Sequence, residues 1–312
     1  MVIVIAGPTA SGKSSIAMSI AERIRGVIIN ADSRQLYKGL PILTAHPSKE
    51  DMDKVPHKLY GVFEYDEQEV SSASWSILAE KTISEISSKD PSCVFILVGG
   101  TGFYIDAFIN GLSPIPTINP DIKRAFYEKH INTSTDCIRA SLREIDPDSE
   151  ASIQSSDRQR LLRALLVSSF TDRAMSSWQS LPRSIQKIEF FNILVLPDRE
   201  TLKRKITARL NQMIRLGVID EVAEFRSLEN YRSSQLALSI GFKEFSLYID
   251  GAISLERSTE LTEISTRRYA KRQSTWFRNK FSPDLVIYKE SSENLEYTVD
   301  SIFNKMKKSM KI

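Results

Sequence analysis

Cysteine is nearly absent from the chain. Cys93 and Cys137 are the only two in 312 residues, too few to cross-link a chain of this length, and a reduced, cytoplasmic setting is expected. Three histidines without paired spacing offer no zinc-site pattern. Glycine and proline, twelve each, are too few for a fibrous or low-complexity chain. No apolar run approaches the ~18 residues of a membrane span, so no membrane partner is expected. The first apolar run, Val2–Ala6, is short for a signal core and follows no basic residue, so no targeting segment is expected. An excess of one charge is also missing: 42 basic against 39 acidic side chains give a formal +3, which by itself names no partner. At 41% hydrophobic and 26% charged, the rest is an ordinary globular composition, long enough for about two domains. There is no internal repeat.

Strand and helix signals alternate in the first third. Val2–Ala6 is a β-rich run of the kind buried on both faces of a parallel sheet. Residues 13–25 place Ile16, Ala17, Ile20, Ala21 and Ile24 on one helical stripe. Segments 27–29 and 94–98 predict further strands, and 73–86 an amphipathic helix. Pro114, Pro116 and Pro120 mark a connection, after which 121–185 reads as helical. A strand at 190–196, helices with basic faces over 199–280, a late strand at 285–288 and a terminal helix at 292–309 complete the reading. The expected fold is α/β, a parallel sheet covered by helices, P-loop NTPase-like through the Gly7–Ser14 pattern between its first strand and helix. Its core is expected at 1–118 and 188–312, with C-terminal basic helices, and a mostly helical insertion at 119–187.

Gly7-Pro8-Thr9-Ala10-Ser11-Gly12-Lys13-Ser14 fits the pattern G-x-x-x-x-G-K-[ST] in full, between a predicted strand and a predicted helix. Glycines let the backbone curl so that N–H groups converge on phosphate oxygens, and the helix N-terminus adds its positive dipole end. Lys13 supplies a point charge and the Ser14 hydroxyl a ligand for Mg²⁺. The loop thus reads as a di- or triphosphate site of the nucleotide- or ATP-binding type. Hydrolases of this kind usually end a buried strand on an acid that holds the metal. Here the next strong strand runs into Val98-Gly99-Gly100-Thr101-Gly102, which weakens the motor, GTPase and ATPase readings.

An acid does follow the second strand, in Asn30-Ala31-Asp32-Ser33-Arg34-Gln35-Leu36-Tyr37. The C-terminal ends of parallel strands share one edge, where ligands bind. Asp32 and Thr101 are therefore expected beside the phosphate loop. The plain structural alternatives are a helix N-cap for Asp32 and a simple turn before a helix at 103–110 for residues 99–102.

Together these stretches resemble the tRNA dimethylallyltransferases, or tRNA isopentenyltransferases, of bacterial type. Pro56-His57, Gln159-Arg160-Leu161-Leu162-Arg163-Ala164, Ile240-Gly241-Phe242-Lys243-Glu244 and Tyr269-Ala270-Lys271-Arg272-Gln273-Ser274-Thr275-Trp276-Phe277-Arg278 carry the resemblance onward to about residue 280. It implies transfer of a dimethylallyl group from dimethylallyl diphosphate to N6 of the adenosine on the 3′ side of the anticodon. The tRNAs implied are those reading codons that begin with U, and the enzyme would be a Mg²⁺-dependent, cytoplasmic monomer.

The resemblance makes Asp32 the general base, with Lys13, Thr101 and Arg209 as the other catalytic residues. It makes Gly7, Pro8, Thr9, Ala10, Ser11, Gly12, Lys13 and Ser14 the diphosphate site. It assigns tRNA contacts to Asp32, Ser33, Arg34, Gln35, Thr101, Lys123, Gln159, Arg160, Leu161, Leu162 and Arg163. Further contacts fall on Gly241, Lys243, Lys271, Arg272, Gln273 and Arg278. Departures from the family pattern are Leu43-Thr44-Ala45-His46-Pro47 for the usual G-T-A-K-P, Leu166 for a Glu, Asp172 for a Gly and Phe242 for a Tyr. The Cys/His zinc-finger extension of many eukaryotic relatives is not among these residues. Alternatives are a transferase of the same fold acting on free adenine nucleotides (an adenylate isopentenyltransferase), a P-loop small-molecule kinase or NTPase, and an RNA-binding protein with a regulatory phosphate site.

Charge is segregated in a way the total conceals. Residues 1–120 hold ten basic and thirteen acidic groups, 157–215 hold twelve and five, and 266–280 hold six basic groups and no acid. Arg267, Lys271, Ser274 and Arg278 fall on one helical face, and Tyr269, Arg272 and Trp276 on another. The bland reading is a solvated face; the sharper one is binding of an RNA backbone. Trp276 and Phe277 read as core.

Overall fold

The computed structural model describes residues 1–67, 69–183, 188–288 and 295–310, without the side chains of 307–310. The chain divides into two compact units, Met1–Ile109 with Lys187–Ile312, and Asn110–Gln186. The second unit begins at Asn110, where the proline-rich boundary placed the insertion at 119.

The first unit is built on six parallel strands: β1 (Val2–Ala6), β2 (Val27–Asn30), β3 (His57–Lys58), β4 (Phe95–Gly99), β5 (Phe190–Val195) and β6 (Leu285–Ile287). Their order is β3-β2-β4-β1-β5-β6. The two-residue β3 was not legible, because it is too short to show a period. The predicted helices at 13–25 and 73–86 are observed as Lys13–Ile24 and Ser72–Ser87. The terminal helix is described over Leu295–Met310; residues 292–294 of its expected span lie outside the described residues.

Alternation along β1 sends Val2, Val4 and Ala6 to one core and Ile3 and Ile5 to another. The second core is covered by Ile16, Ala17, Ile20 and Ala21 of the helix Lys13–Ile24 and by Val299, Ile302 and Met306 of the terminal helix. The first core includes Trp75, Phe108, Phe225, Phe245 and Phe277, with Trp276 packed against it. Burial on both sheet faces explains why the strands read as continuous apolar runs.

Register matters for the site. Ala6 pairs with Gly99 and Asn30 with Val98. The ends of β1, β2 and β4 are therefore level, and the three segments that follow leave from the same edge.

The second unit has its own apolar core of Phe126, Ile138, Leu142, Leu161, Leu162, Ala164, Leu165 and Leu166. Leu166 is fully buried there, so this core takes an apolar residue where the family commonly has Glu. Asp146, itself buried, accepts hydrogen bonds from the Ser149 and Ser176 amides and from the Ser168 and Ser176 hydroxyls.

Candidate active site

The segment after β1 curls as the glycines require. Ala10 has φ 59° and Gly12 φ 98°, and a Cβ on Gly7 would overlap the Val195 carbonyl oxygen. Not every loop N–H faces a ligand, which corrects the simple picture of a converging nest. Thr9 N–H donates to Gln273 Oε1 at 2.8 Å, and Ser11 N–H to Pro8 O at 3.2 Å. The Ser11 side chain is buried. The first-turn N–H groups of the helix Lys13–Ile24 have no intrahelical acceptor, and Ser14 is exposed at the same end. Lys13 Nζ folds back on the Pro8 carbonyl at 2.7 Å. Burial pulls the Lys13 pKa down to about 8; the Asp32 carboxylate opposes that and Arg209 adds to it.

Asp32 follows β2 in a turn held by a residue not singled out in the sequence. Asn30 is fully buried. Its Oδ1 accepts from Asp32 N–H at 2.8 Å, and its Nδ2 donates to Asp32 O at 3.0 Å and Leu59 O at 2.9 Å. The Trp75 indole donates to the Asn30 carbonyl at 3.1 Å. The signal was available: an amide ending an otherwise apolar strand is costly unless satisfied. Asp32 does not cap a helix, since none starts there and the next is Pro41–Thr44. Its Oδ1 accepts from Arg34 N–H at 3.0 Å in an Asx turn.

Thr101 joins the third segment to the second. Its Oγ1 accepts from Ser33 N–H at 3.0 Å, and its own N–H donates to Ala31 O at 3.2 Å. The glycines around it make room for backbone and ring: a Cβ on Gly99 would overlap Ala31 O, and one on Gly102 the Trp276 ring. The turn at 99–102 and the helix after it, Gly102–Asn110, coexist with the juxtaposition of Thr101 and Ser33. Arg209, on the helix Arg199–Arg215, donates to Thr9 Oγ1 at 3.1 Å. Burial lowers its pKa and Asp32 opposes the shift.

A cavity of about 900 Å³ lies over the loop, lined among others by Lys13, Asp32, Gln35, His46, Tyr60 and Arg209. A second, of about 300 Å³, is lined by Ser33, Arg34, Leu238, Tyr269 and Arg272. Thr9, Asp32 and Arg209 line both. Burial raises the Tyr269 pKa to about 12, the Asp32 charge adding to the effect, and Arg272 stacks over that ring. His46 is neutral at pH 7, its pKa pulled down to about 4 by burial against the opposing Asp32 charge. The segment around it is clamped by Glu221, which accepts from Ile42 and Leu43 N–H at 2.7 and 2.8 Å.

Several residues assigned to tRNA contact are used differently by their side chains. Gln273 is buried with both ends of its amide bonded inside the protein. Leu161 and Leu162 belong to the insertion core, and Gly241 is buried at φ 96° before the helix Phe242–Ile249. Arg34 donates to the Gln235 carbonyl and to Gln235 Oε1, and Gln35 to Thr44 O and Ala45 O. Ser274 lies on the buried side of the helix Leu255–Lys280, not on its basic face. Phe242 is core. Lys123, Gln159, Arg160, Lys243, Lys271, Arg272 and Arg278 are exposed, and Arg163 is half-buried. Arg160 pairs with Asp157 at 2.7 Å.

The IPP transferase family model matches residues 35–280, leaving the phosphate loop and Asp32 just outside the matched span. A tRNA dimethylallyltransferase of Parvibaculum lavamentivorans is 36% identical over 303 residues, 97% of this chain and 95% of its own. One from a Caulobacter species is 38% identical over 91% of each. The crystal structure of a tRNA isopentenylpyrophosphate transferase from Bacillus halodurans aligns with a TM-score of 0.68 at 30% identity, covering 99% of this chain and 98% of that one. A eukaryotic dimethylallyltransferase acting on tRNA shares the fold, with a TM-score of 0.81 at 24% identity over 96% of this chain and 77% of its own.

Proposed function

The chain belongs to the IPP transferase family, and from that membership we propose how its site works. It is a transferase that moves a dimethylallyl group from dimethylallyl diphosphate to tRNA. The acceptor in this proposal is N6 of the adenosine on the 3′ side of the anticodon, in tRNAs reading codons that begin with U. The reaction is proposed to run in the cytoplasm on a single copy of the chain. The observation that carries the reading is the position of Asp32 where two cavities meet, beside a phosphate loop.

The exocyclic amine of adenine is a poor nucleophile, because its lone pair is delocalised into the ring. The donor must be activated instead. Breaking the allylic C–O bond builds negative charge on the leaving diphosphate. Lys13, Arg209 and the helix N-terminus are the groups that meet it, a preorganised electrostatic role. As N6 attacks, its proton becomes acidic, and Asp32 accepts it. Asp32 Oδ1 is engaged by Arg34 N–H, so Oδ2 is assigned the proton. Thr101 is proposed to contact both adenosine and diphosphate. No attacking water or γ-phosphate takes part, which accounts for glycines and a threonine after β4 where a hydrolase carries an acid.

Mg²⁺ fits this donor set. It keeps several waters and binds through one or two protein oxygens plus substrate phosphates, and Ser14 offers a hydroxyl at the loop. Among the described residues no cluster of three His, Cys, Asp or Glu side chains forms a protein cage. When bound, the ion supplies positive charge to the departing diphosphate. An adenine stacked in an RNA loop must be flipped out to reach Asp32, at a cost of ~ a few kcal/mol. Lys123, Gln159, Arg160, Arg163, Lys243, Lys271, Arg272 and Arg278 are proposed to hold the RNA by its backbone.

The test uses purified protein, Mg²⁺ and labelled dimethylallyl diphosphate with tRNA or AMP as acceptor, and ATP turnover in parallel. Label in tRNA alone is the expected result. Label in AMP alone would make the chain an adenylate isopentenyltransferase. ATP turnover without label transfer would make it a kinase or NTPase.

A further inference from the structure

Gln273 lies between Lys271 and Arg272 on one side and Arg278 on the other, in a strongly basic helix, yet it is only 6% exposed. Its amide bridges two of the three segments that meet at the site. Oε1 accepts from Thr9 N–H at 2.8 Å, and Nε2 donates to Gly100 O at 2.8 Å. The fit is close, since a Cβ on Gly100 would overlap Nε2. On the proposed prenyl-transfer reading, we infer that Gln273 is a positioning residue of the diphosphate loop, acting through the Pro8–Thr9 peptide, and not an RNA contact.

The planar peptide is what transmits the effect. Pro8 C=O and Thr9 N–H belong to one rigid unit and point in opposite directions. Holding the N–H on Gln273 turns the carbonyl to the other side. There it accepts from Ser11 N–H at 3.2 Å and from Lys13 Nζ at 2.7 Å. One amide on the helix Leu255–Lys280 therefore sets where the Lys13 ammonium rests and how the loop is closed. Thr9 is held a second time, through its hydroxyl, by Arg209 at 3.1 Å. Without Gln273 the Thr9 N–H loses its acceptor, and the peptide can turn to find another. The carbonyl then leaves Lys13, and a phosphate must restore the loop's shape as it binds, which appears as lost donor affinity.

Gln273→Met keeps the length and removes both hydrogen bonds. Expected is a rise of at least about tenfold in the KM for dimethylallyl diphosphate and in the Kd of inorganic pyrophosphate. The tRNA KM and the Kd of an anticodon stem-loop should stay within about twofold. Pyrophosphate binding needs no transfer activity, so this arm remains readable if the prenyl-transfer reading fails. Gln273→Glu gives a signature that a purely structural role lacks. Its carboxylate still accepts from Thr9 N–H but faces the Gly100 carbonyl without a proton to donate. Its pyrophosphate Kd, relative to the unaltered protein, should therefore recover as the pH falls from 8 to 5.5 and the carboxyl protonates. This ratio needs only folded Gln273→Glu beside the unaltered protein and stands if Gln273→Met does not fold. Loss of stem-loop affinity with unchanged pyrophosphate binding would overturn the inference, as would a pH-independent ratio for Gln273→Glu.

Discussion

Asp32 is held by its main chain and by one carboxylate oxygen, which leaves the other for chemistry. The Asn30 amide fixes the peptide groups on either side of Asp32, and Arg34 N–H fixes Oδ1. Asp32→Ala should lower the transfer rate by about 10²–10⁴-fold, the usual contribution of a positioned general base. Stem-loop affinity should change less than about threefold, measured by anisotropy on the same preparation. A second residue-scale expectation comes from Lys13, whose pKa is pulled down to about 8. A diphosphate binds the protonated lysine. Below pH 8 that proton is already in place and affinity is flat. Above it the free protein must take one up, so affinity should fall by up to about tenfold per pH unit. With dimethylallyl diphosphate as the titrant, whose terminal phosphate ionises like a monoester with a second pKa of ≈ 6, ligand ionisation is complete before this window. Lys13→Arg, which stays charged, should remove the slope in a calorimetric titration from pH 7 to 9.5.

At the scale of elements, three strand ends do the positioning, and their register is set by residues with no side chain to spare. Gly99 sits where any Cβ would meet the Ala31 carbonyl. Gly99→Ala should cost about 1–3 kcal/mol in urea unfolding, as overpacking does. It should also lower transfer further than stability explains, because it pushes the Thr101 segment from the Asp32 segment. The same elements show how much was readable in advance. The strands Val2–Ala6 and Phe95–Gly99 are apolar on both faces and announce themselves. The loop at 7–14 does so by spacing, and Asp32 by following a strand. Asn30 shows in the sequence as an amide ending an apolar strand, but its distant partner, like those of Glu221 and Gln273, does not. Each acts through a partner remote in sequence, such as Leu59, Ile42 or Thr9, and no local pattern encodes that pairing. The resemblance groups Gln273 with its basic neighbours as an RNA contact, whereas the periodicity of the long helix turns its side chain into the core.

Over the whole molecule, charge is uneven although the total is +3. The acidic surplus lies in residues 1–120, and the basic surplus in 157–215 and 266–280. Among the described residues no helix is long and apolar enough to cross a membrane. Exposed Arg160 and Lys271 and half-buried Arg163 are assigned to the RNA backbone. Reversing the three charges should weaken stem-loop binding at every sequence. It should also reduce the slope of log K against log salt by about one for each phosphate that is no longer neutralised. An unchanged slope would return these side chains to a plain solvated role.

The central claim is that Asp32 takes the proton from N6 of one adenosine beside the anticodon as the dimethylallyl group arrives. Nucleoside mass spectrometry on tRNA incubated with deuterated dimethylallyl diphosphate tests it directly. N6-(dimethylallyl)adenosine carrying the deuterium, at the position 3′ of the anticodon, is predicted with the unaltered protein and not with Asp32→Ala. Label at another nucleoside, or near-normal labelling by Asp32→Ala, would contradict the account.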